Sequence, residues 1–416
     1  MRIWPGSFWV FAVCIVGCAD KTQDTHESAG SENAGGAGGE GGASGDGGAK
    51  GEGGANGESG AGGRSDATRA LDASGAPAVV TFASLQELPS NIATDGHDVY
   101  WLNIGQQHPN GTKDPPDNTG GQVVACPVEG CSGAPTVLVS GLSTDLTVMA
   151  AGGGNLAWAD DMADDQLIES CAAGNCAASK SAVTSGRPYD MVVDAKDVYW
   201  VDGGPTVKAC SIAGCSTPRT FGEDSSSVVL SGGLALDDDN LYWSKTAFSI
   251  VSCPKAGCTG APRVVLANLL ADFPDSLGST AARPLVVAGD SIYFATMVQD
   301  STGLDGKLFR CAKTGCDAPT VLAAGLTDPS GLGTDGTTLY FSEHSLRCCT
   351  AEDTTCCNGR YVQRLSMCAA TGCNGMPTVL LPDMNVTSNI AADPHHVFWA
   401  TSDDSDTSDS VDMLAR

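Results

Sequence analysis

Paired cysteines are the residues of this sequence whose spacing points most directly to chemistry. The hexapeptide CPKAGC (253–258) places two cysteines around four small or polar residues, and five variants recur along the chain. Such a pair could form a local disulfide bond or supply two thiolate ligands to a metal ion. Single pairs on separate repeats cannot converge on one ion, and C-x4-C is not a zinc-knuckle spacing. The sequence therefore favours disulfide bonds, which pair Cys126–Cys131, Cys171–Cys176, Cys210–Cys215, Cys253–Cys258, Cys311–Cys316 and Cys368–Cys373.

A second cysteine group lies in RCCTAEDTTCCNG (347–359) and comprises Cys348, Cys349, Cys356 and Cys357. We expect two disulfide bonds among them, with the connectivity left open. Four thiolates could instead hold zinc, but adjacent cysteines are awkward zinc ligands. Of the 18 cysteines, one lies in the N-terminal leader and one is the proposed anchor described below, which leaves an even number. An even count is consistent with an oxidising compartment.

Clustered carboxylates are the second candidate for chemistry, because they are the hard oxygen ligands that calcium prefers. One cluster lies in ADDMADD (159–165) and the other in ATSDDSDTSD (400–409). Neither has the spacing and glycine of an EF-hand, so we interpret both as solvated acidic rims. The weak calcium candidates are Asp160, Asp164, Asp403 and Asp404, beside Asp161, Asp165, Asp406 and Asp409.

Motifs for other chemistry are missing from the sequence. It contains no G-x-S-x-G, no phosphate loop and no H-E-x-x-H, and its six histidines show no metal-ligand or triad spacing. We therefore predict no catalytic residue and no cofactor. A further set of aspartates recurs at one turn position, where hydrogen bonding to the local backbone explains them: Asp95, Asp194, Asp237, Asp335 and Asp393.

A repeat of seven copies organises these residues. Each copy has a short apolar strand, a turn rich in Asp, Gly or Asn, and a second strand that ends in an aromatic residue, which is a hairpin pattern. The closing aromatics are Trp101, Trp158, Trp200, Trp243, Phe294, Phe341 and Trp399. Their spacing of 42 to 58 residues suits four-stranded propeller blades, in which the cysteine loop joins strands three and four. That outer hairpin should be the least buried part of a blade, and a disulfide would hold it.

The two ends of the repeat region complete the count. SVDMLAR (410–416) supplies a third strand with no fourth strand after it, whereas APAVVTFASL (76–85) resembles a fourth strand with no blade before it. Together they form a seventh blade, which removes the exposed edges of an open array. The sequence predicts an all-β, seven-bladed β-propeller over 76–416, closed by strands from both ends. A six-bladed ring would leave one motif unused.

The N-terminal region has a different character. Residues 1–17 hold one arginine and a short apolar run, which is typical of an export signal and too short to span a bilayer as a helix. The run ends in Ile15-Val16-Gly17-Cys18, which resembles the lipobox of bacterial lipoproteins; an ordinary export signal is the alternative. The resemblance implies lipidation of Cys18, and Ala19 after it favours the outer membrane. Residues 18–75, rich in Gly, Ala and Ser, are predicted to be a disordered tether.

The net charge of the chain limits the classes of partner that it can bind. With 49 acidic and 22 basic residues, the formal net charge is −27. This excess of negative charge argues against nucleic acid, whose phosphates would be repelled, and against adsorption to anionic lipid. It suits an externally exposed body that meets the membrane only through its lipid anchor.

Insertions identify a candidate binding face. In a propeller, the turns between strands one and two and between strands three and four lie on one face, and here they are short. The long connections, including 102–121, 159–165, 295–306 and 342–363, fall on the other face. Length variation on one face of a rigid repeat is typical of a binding surface. The candidates there are His108, Asp160, Asp161, Arg187, Tyr189, Glu343 and His344.

The strand endings and the four-strand plan resemble the broad group of Tol-pathway-like, NHL-like and quinoprotein-like bacterial propellers. That group includes binders, scaffolds and enzymes, and the cysteine loops depart from it, so no functional residue is carried over. We expect a non-catalytic binding or scaffolding lipoprotein whose partner is a protein, peptide or glycan of the cell envelope. The alternative is a calcium-dependent lactonase- or lyase-like enzyme. It would need acids along the channel, where Asn91, Asp190 and Asn389 are the polar exceptions among apolar first strands.

Overall fold

Seven antiparallel sheets form a β-propeller in the computed structural model, as the sequence predicts. The fold is described for residues 79–105, 120–143, 146, 148–162, 165–202, 206–222, 233–245, 249–267, 278–279, 284–300, 303–327, 329–346, 361–384, 389–401 and 409–416. The export signal, Cys18, the tether and the four cysteines at 348–357 lie outside these residues. Within the described parts of the chain, no helix has the length and apolar character needed to cross a bilayer.

Each blade runs from its first strand at the centre to its fourth at the rim. Blade 1 comprises β2 (Pro89–Thr94), β3 (Asp98–Asn103), β4 (Gly121–Pro127) and β5 (Thr136–Leu142). Blade 2 comprises β6 (Met149–Gly152), β7 (Asn155–Met162), β8 (Asp165–Ala172) and β9 (Ser181–Ser185), with a 3-10 turn (Ala173–Asn175) and the short helix α1 (Cys176–Ser179). Blade 3 comprises β10 (Asp190–Val193), β11 (Asp197–Val201), β12 (Val207–Ser211) and β13 (Arg219–Phe221).

The next three blades follow the same order. Blade 4 comprises β14 (Leu234–Leu236), β15 (Asn240–Lys245), β16 (Ser249–Pro254) and β17 (Arg263–Leu266). Blade 5 comprises β19 (Leu285–Ala288), β20 (Ser291–Asp300), β21 (Gly303–Ala312) and β22 (Thr320–Leu326), and β18 (Gly278–Ser279) also pairs with β20. Blade 6 comprises β23 (Pro329–Thr334), β24 (Thr338–Leu346), β25 (Tyr361–Ala369) and β26 (Thr378–Met384).

Blade 7 is assembled from both ends of the described chain. It comprises β27 (Ala391–Ala392), β28 (His396–Thr401), β29 (Ser410–Ala415) and, as its fourth strand, β1 (Val79–Ser84). β1 pairs antiparallel with β29 from Val79↔Leu414 to Ser84↔Ser410, so the predicted closure is confirmed. The ring of Phe82 fixes this strand by packing edge-on against Phe398 at 5.2 Å between centroids.

Among the described residues, the core comprises seven apolar clusters, one between each pair of neighbouring blades, because each sheet buries both faces. In blade 4, Leu234 and Trp243 pack against blade 3, whereas Ala235 and Tyr242 pack against blade 5. A large aliphatic residue beside Trp or Phe thus faces the preceding blade. In most blades a small residue beside Tyr or Phe faces the following one.

The six predicted disulfide bonds are present, with Cα–Cα distances of 4.8 to 5.7 Å. Their surroundings differ from the expectation of weakly buried outer hairpins. The first cysteine of each pair is only 1–2% exposed. It belongs to the cluster shared with the preceding blade, as Cys311 does between blades 4 and 5. The third strand carries it inward, so each disulfide is part of an interface between blades. In the cluster between blades 6 and 7, Leu414 occupies this position.

Two of the predicted insertions are also more regular than expected. Residues 159–165 and 295–306 extend the second and third strands of blades 2 and 5 instead of forming loops. β7 and β8 stay paired as far as Met162↔Asp165, and β20 and β21 as far as Asp300↔Gly303.

Candidate functional site

A cavity of about 930 Å³ runs along the propeller axis and is lined by the first strand of every blade. Its wall is mainly aliphatic and reaches from the start of the first strands to the turns that follow them. Two threonines near those turns, Thr94 and Thr334, donate their hydroxyls to the carbonyls of Asp98 and Thr338. The described lining therefore offers a guest mostly apolar side chains.

The polar exceptions on the first strands hold neighbouring blades together. Asp190 of blade 3 accepts the N–H groups of Gly233 and Leu234 of blade 4 at 3.1 and 2.8 Å. Asn389 of blade 7 accepts the N–H of Ile92 and donates to its carbonyl, at 3.0 and 2.8 Å. Asn91 has a left-handed backbone with φ of 44°. Among the described residues, no three His, Cys, Asp or Glu side chains are grouped to hold a metal ion.

The face that carries the strand one-to-two turns and the cysteine loops, here named the short-turn face, is built on the recurring aspartates. Asp237 Oδ1 accepts the N–H groups of Asp239 and Asn240 at 3.0 and 2.8 Å. Its Oδ2 accepts the hydroxyl of Tyr242 at 2.9 Å. The turns at Asp95, Asp194 and Asp335 repeat this arrangement, and at Asp393 the ring of His396 replaces the tyrosine. The expected role of these aspartates in the turns is confirmed.

A cation from the next blade completes three of these turns. Lys255 of blade 4 reaches Asp194 of blade 3 at 2.9 Å, and Lys313 of blade 5 reaches Asp237 of blade 4 at 2.7 Å. Arg416 of blade 7 pairs with Asp335 of blade 6. Each of the three cations stands two residues after the position of the first cysteine in the hexapeptide. In blade 7, Leu414 occupies the position of this cysteine. At the position of the cation, the backbone N–H donates to the turn of its own blade in Val128, Ala173, Ile212, Lys255, Lys313, Ala370 and Arg416.

The surroundings of these turns keep their carboxylates charged. Burial alone would raise the pKa of Asp237, but hydrogen bonds from Lys313, the two amides and Tyr242 lower it to about 2. Burial and the adjacent carboxylate raise the pKa of Tyr242 to about 12. The pKa values of Asp95, Asp194 and Asp335 are lowered as well, because hydrogen bonds outweigh burial there. These groups act as fixed acceptors near neutral pH, which suits a structural role better than proton transfer.

The opposite face, here named the loop-rich face, carries the two-to-three and four-to-one connections. Two of its predicted binding residues are buried. Glu343 is 0% exposed and accepts Arg364 Nε and Nη2 at 2.9 and 2.6 Å, Ser366 at 2.9 Å and the Thr327 N–H at 3.2 Å. This pairing also raises the pKa of Arg364. Asp160 is buried and accepts the Ser143 N–H at 3.0 Å. Both carboxylates fix connections between blades.

Tyr189 and Arg187, in the connection into blade 3, are exposed at the surface of this face. Tyr189 is 61% exposed while its N–H is tied to the carbonyl of Val201. Asp161 lies at the end of β7 and His344 near the end of β24. His108, Asp164, Asp403 and Asp404 lie outside the described residues. Asp409, the last acid of its cluster, is buried and accepts the Leu88 N–H at 3.0 Å.

Extended hairpins project from the loop-rich face at three blades of the described chain. β7 and β8 of blade 2 have eight residues each, β20 and β21 of blade 5 have ten, and β24 and β25 of blade 6 have nine. In a ring of seven, blades 5 and 6 stand opposite blade 2. The raised edge of blade 2 and those of blades 5 and 6 therefore stand on opposite sides of the ring at this face.

No family model and no curated protein matches this chain. Solved structures do match. A chain of Kuenenia stuttgartiensis hydrazine synthase has 12% identity over 85% of this chain and 99% of its own, with a TM-score of 0.53. YCF48 bound to D1 peptide has 8% identity over 82% and 94%, with a TM-score of 0.48. The putative TolB from Agrobacterium tumefaciens has 11% over 68% and 94%, with a TM-score of 0.39. At these identities, the similarity to hydrazine synthase establishes the propeller fold alone.

Proposed function

We propose that this protein is a non-catalytic binding or scaffolding propeller of the bacterial cell envelope, held at the membrane through a lipid on Cys18. Its partner is a protein, peptide or glycan, and it docks on the loop-rich face between the blade 2 hairpin and the hairpins of blades 5 and 6. The observation that carries the proposal is the extension of paired strands on this face alone, above a ring of otherwise uniform blades.

Rigidity supports a binding role for these hairpins. β20 and β21 remain paired over ten residues, and β18 adds a third strand beside β20. A raised surface built of paired strands loses less conformational entropy on binding than an irregular loop does. The exposed ring of Tyr189, in the connection from blade 2 to blade 3, is of a residue type that is enriched at the energetic hot spots of protein interfaces.

The course of β1 supports the membrane arrangement. β1 begins beside Leu414 at the short-turn face and ends beside Ser410 at the loop-rich face. The chain therefore enters the ring at the rim of the short-turn face, on the side away from the proposed docking surface. A flexible tether of the predicted composition over 18–75 would place the propeller about 40 Å from the lipid on average.

Site-specific photo-crosslinking in envelope preparations tests the partner site. A photoreactive aromatic residue in place of Tyr189 should give one discrete crosslinked species. In a separate pull-down experiment, Tyr189→Ala should lower the recovered amount of the same partner at least tenfold. The matched control is Met376, an 81% exposed apolar residue after the blade 6 cysteine loop on the short-turn face. Equal crosslinking from both positions would contradict a partner site on the loop-rich face.

The anchor has its own test. Cys18→Ser should move the full-length protein from the membrane fraction to the soluble fraction and abolish incorporation of labelled fatty acid. Retention of the variant in the membrane fraction would refute lipid anchoring at Cys18 without affecting the partner site.

A further inference from the structure

The axial cavity has a wall of graded side-chain size. At the position that packs in one cluster with Trp or Phe of the second strand, the lining residues are large and apolar: Ile92, Met149, Met191, Leu234, Leu285, Leu332 and Ile390. At the next position they are small: Ala93, Ala150, Val192, Ala235, Val286, Gly333 and Ala391. Both sets contribute to the clusters between blades, and partly exposed members such as Val192 and Val286 also reach the cavity.

Gly333 illustrates why this space is not filled from the wall. A Cβ at Gly333 would stand 2.6 Å from the carbonyl oxygen of Ile390 in blade 7, which is closer than van der Waals contact allows. At Gly333, and likewise at Gly152 beside Val193, neighbouring first strands approach too closely for any larger side chain. The apolar space therefore remains for a guest molecule, and its volume falls within the range of small-molecule binding sites.

Along the first strands, the polar side chains of the described wall are few and uncharged, so most polar groups there belong to the backbone. Each first strand pairs with the second strand on one side only, so its other backbone edge faces the axis. This edge can exchange hydrogen bonds with uncharged polar groups of a guest. Water beside the aliphatic side chains is displaced favourably by an apolar group, whereas water at the backbone edge must be replaced by a group that forms the same hydrogen bonds.

The mouth of the cavity lies at the short-turn face beside blades 3 and 4. Its charged lining residues are Asp194, Asp197, Asp237 and Asp238 against Lys196, Arg219 and Lys255, which is four negative charges and three positive. Several are paired: Arg219 lies 2.9 Å from Asp197, and Lys255 lies 2.9 Å from Asp194. A charged guest would have to displace these pairs or enter unpaired, which is costly.

We propose that the axial cavity binds one elongated, uncharged small molecule with both apolar and hydrogen-bonding groups, which enters from the short-turn face between blades 3 and 4. This site is independent of the partner surface proposed above, because it opens on the opposite side of the ring.

Fluorescence titration of the full-length protein with N-phenyl-1-naphthylamine, a neutral apolar probe, tests the site. We expect saturable binding of one probe per chain and a rise in melting temperature with probe concentration. Ala151→Phe combined with Ala392→Phe adds two rings to half-buried lining positions of blades 2 and 7 and should weaken binding at least tenfold. The control variant Val321→Phe adds a phenyl ring at the exposed outer rim of blade 5 and should change the probe affinity less than twofold.

A second variant guards against misfolding of the first. Val192→Thr keeps the side-chain volume and adds a hydroxyl to the wall, so it should weaken probe binding about threefold while the melting curve stays cooperative. The proposal is overturned if the wild-type protein shows no saturable binding. It is also overturned if the double phenylalanine variant and Val192→Thr both keep the wild-type affinity while circular dichroism shows them folded. Crosslinking from Tyr189 should be the same in all of them, so either proposal can fail alone.

Discussion

Blades 5 and 7 attach their fourth strands in different ways. In blade 5 the third strand ends at Cys311, which bonds to Cys316, and the chain turns directly into the fourth strand. In blade 7 the third strand carries Leu414 at the equivalent position, and the fourth strand comes from the other end of the described chain. Both blades nevertheless place a cation two residues later on an aspartate of the preceding blade, Lys313 on Asp237 and Arg416 on Asp335.

The difference separates two roles that the cysteine hexapeptide combines. The position of the first cysteine is an apolar site between blades, which leucine can also fill. The disulfide itself closes the hairpin that follows, and blade 7 has no such hairpin to close. Packing between blades is therefore common to the whole ring, and the covalent link is specific to blades with a continuous outer hairpin.

The largest expected effect comes from loosening the fourth strand of blade 7. Phe82→Ala removes a ring that is 7% exposed and lies between Phe398 and Trp101. It should lower the free energy of unfolding by about 3–5 kcal/mol, because a large buried cavity is left in a strand that no disulfide retains. Urea denaturation followed by tryptophan fluorescence measures the loss. Val80→Ala in the same strand, where the side chain is partly exposed, is the control, and equal losses in the two variants would contradict the assigned role of Phe82.

A smaller loss is expected when blade 5 is made to resemble blade 7. Replacing Cys311 and Cys316 together with valine keeps apolar groups in the cluster and removes the link. The free energy of unfolding should fall by about 2 kcal/mol, the chain-entropy value for so short a loop. Replacing both with alanine should cost more, since it also leaves a cavity beside Phe309. If the valine variant were as stable as the wild type in chemical denaturation, the disulfide would have no stabilising role.

The third prediction concerns the cation that both blades share. Lys313→Met should lower the free energy of unfolding by about 0.5–1 kcal/mol at neutral pH, because the pair is partly exposed to solvent. The pKa of Asp237 is about 2 in the folded protein, below its ordinary value of 3.8. Its stabilising contribution is therefore complete above about pH 4 and is lost as the pH falls towards 2.

In the methionine variant this acid-dependent loss should shrink, which denaturation at pH 2.5, 4 and 7 measures. Lys196→Met, at an exposed position on a neighbouring turn, serves as the control and should leave the pH dependence unchanged. An identical pH profile in Lys313→Met and wild type would remove Lys313 as the cause of the lowered pKa.

The sequence was sufficient for the fold because its signals are local and repeated. Alternating apolar residues, the Asp turns and closing aromatics such as Trp243 fix each hairpin, and seven copies leave only the pairing of β1 with β29 to be inferred. The burial of Cys311 was missed, since the side to which a third strand turns its cysteine depends on the neighbouring blade. The same limit applies to Asp160, whose partner Ser143 lies on the connection from blade 1, and to the contact of Glu343 with Thr327 on the connection from blade 5.

The link between blades was nevertheless present in the sequence as a paired pattern. In three cases, an Asp at the turn of one repeat is matched by a Lys or Arg in the next repeat. This cation stands two positions after the first cysteine, or after the residue that replaces this cysteine in blade 7. In blade 2 that position is Ala173, which follows Asp95 of blade 1. The N–H of Ala173 donates to the carbonyl of Gly154, as the N–H of Lys313 does to Asp290.

This gap in the pattern supplies the smallest predicted effect. Ala173→Lys should create the missing pair with Asp95 and raise the free energy of unfolding by a few tenths of a kcal/mol, about the value of a partly exposed ion pair. The gain should vanish in 1 M salt, which screens such pairs, and in the double variant with Asp95→Asn. Ala173→Met is the matched control for added apolar contact. A gain equal in the lysine and methionine variants would mean that the 3-10 turn of blade 2 directs this side chain away from Asp95, and that the geometry shared by blades 5 and 7 does not extend to blade 2.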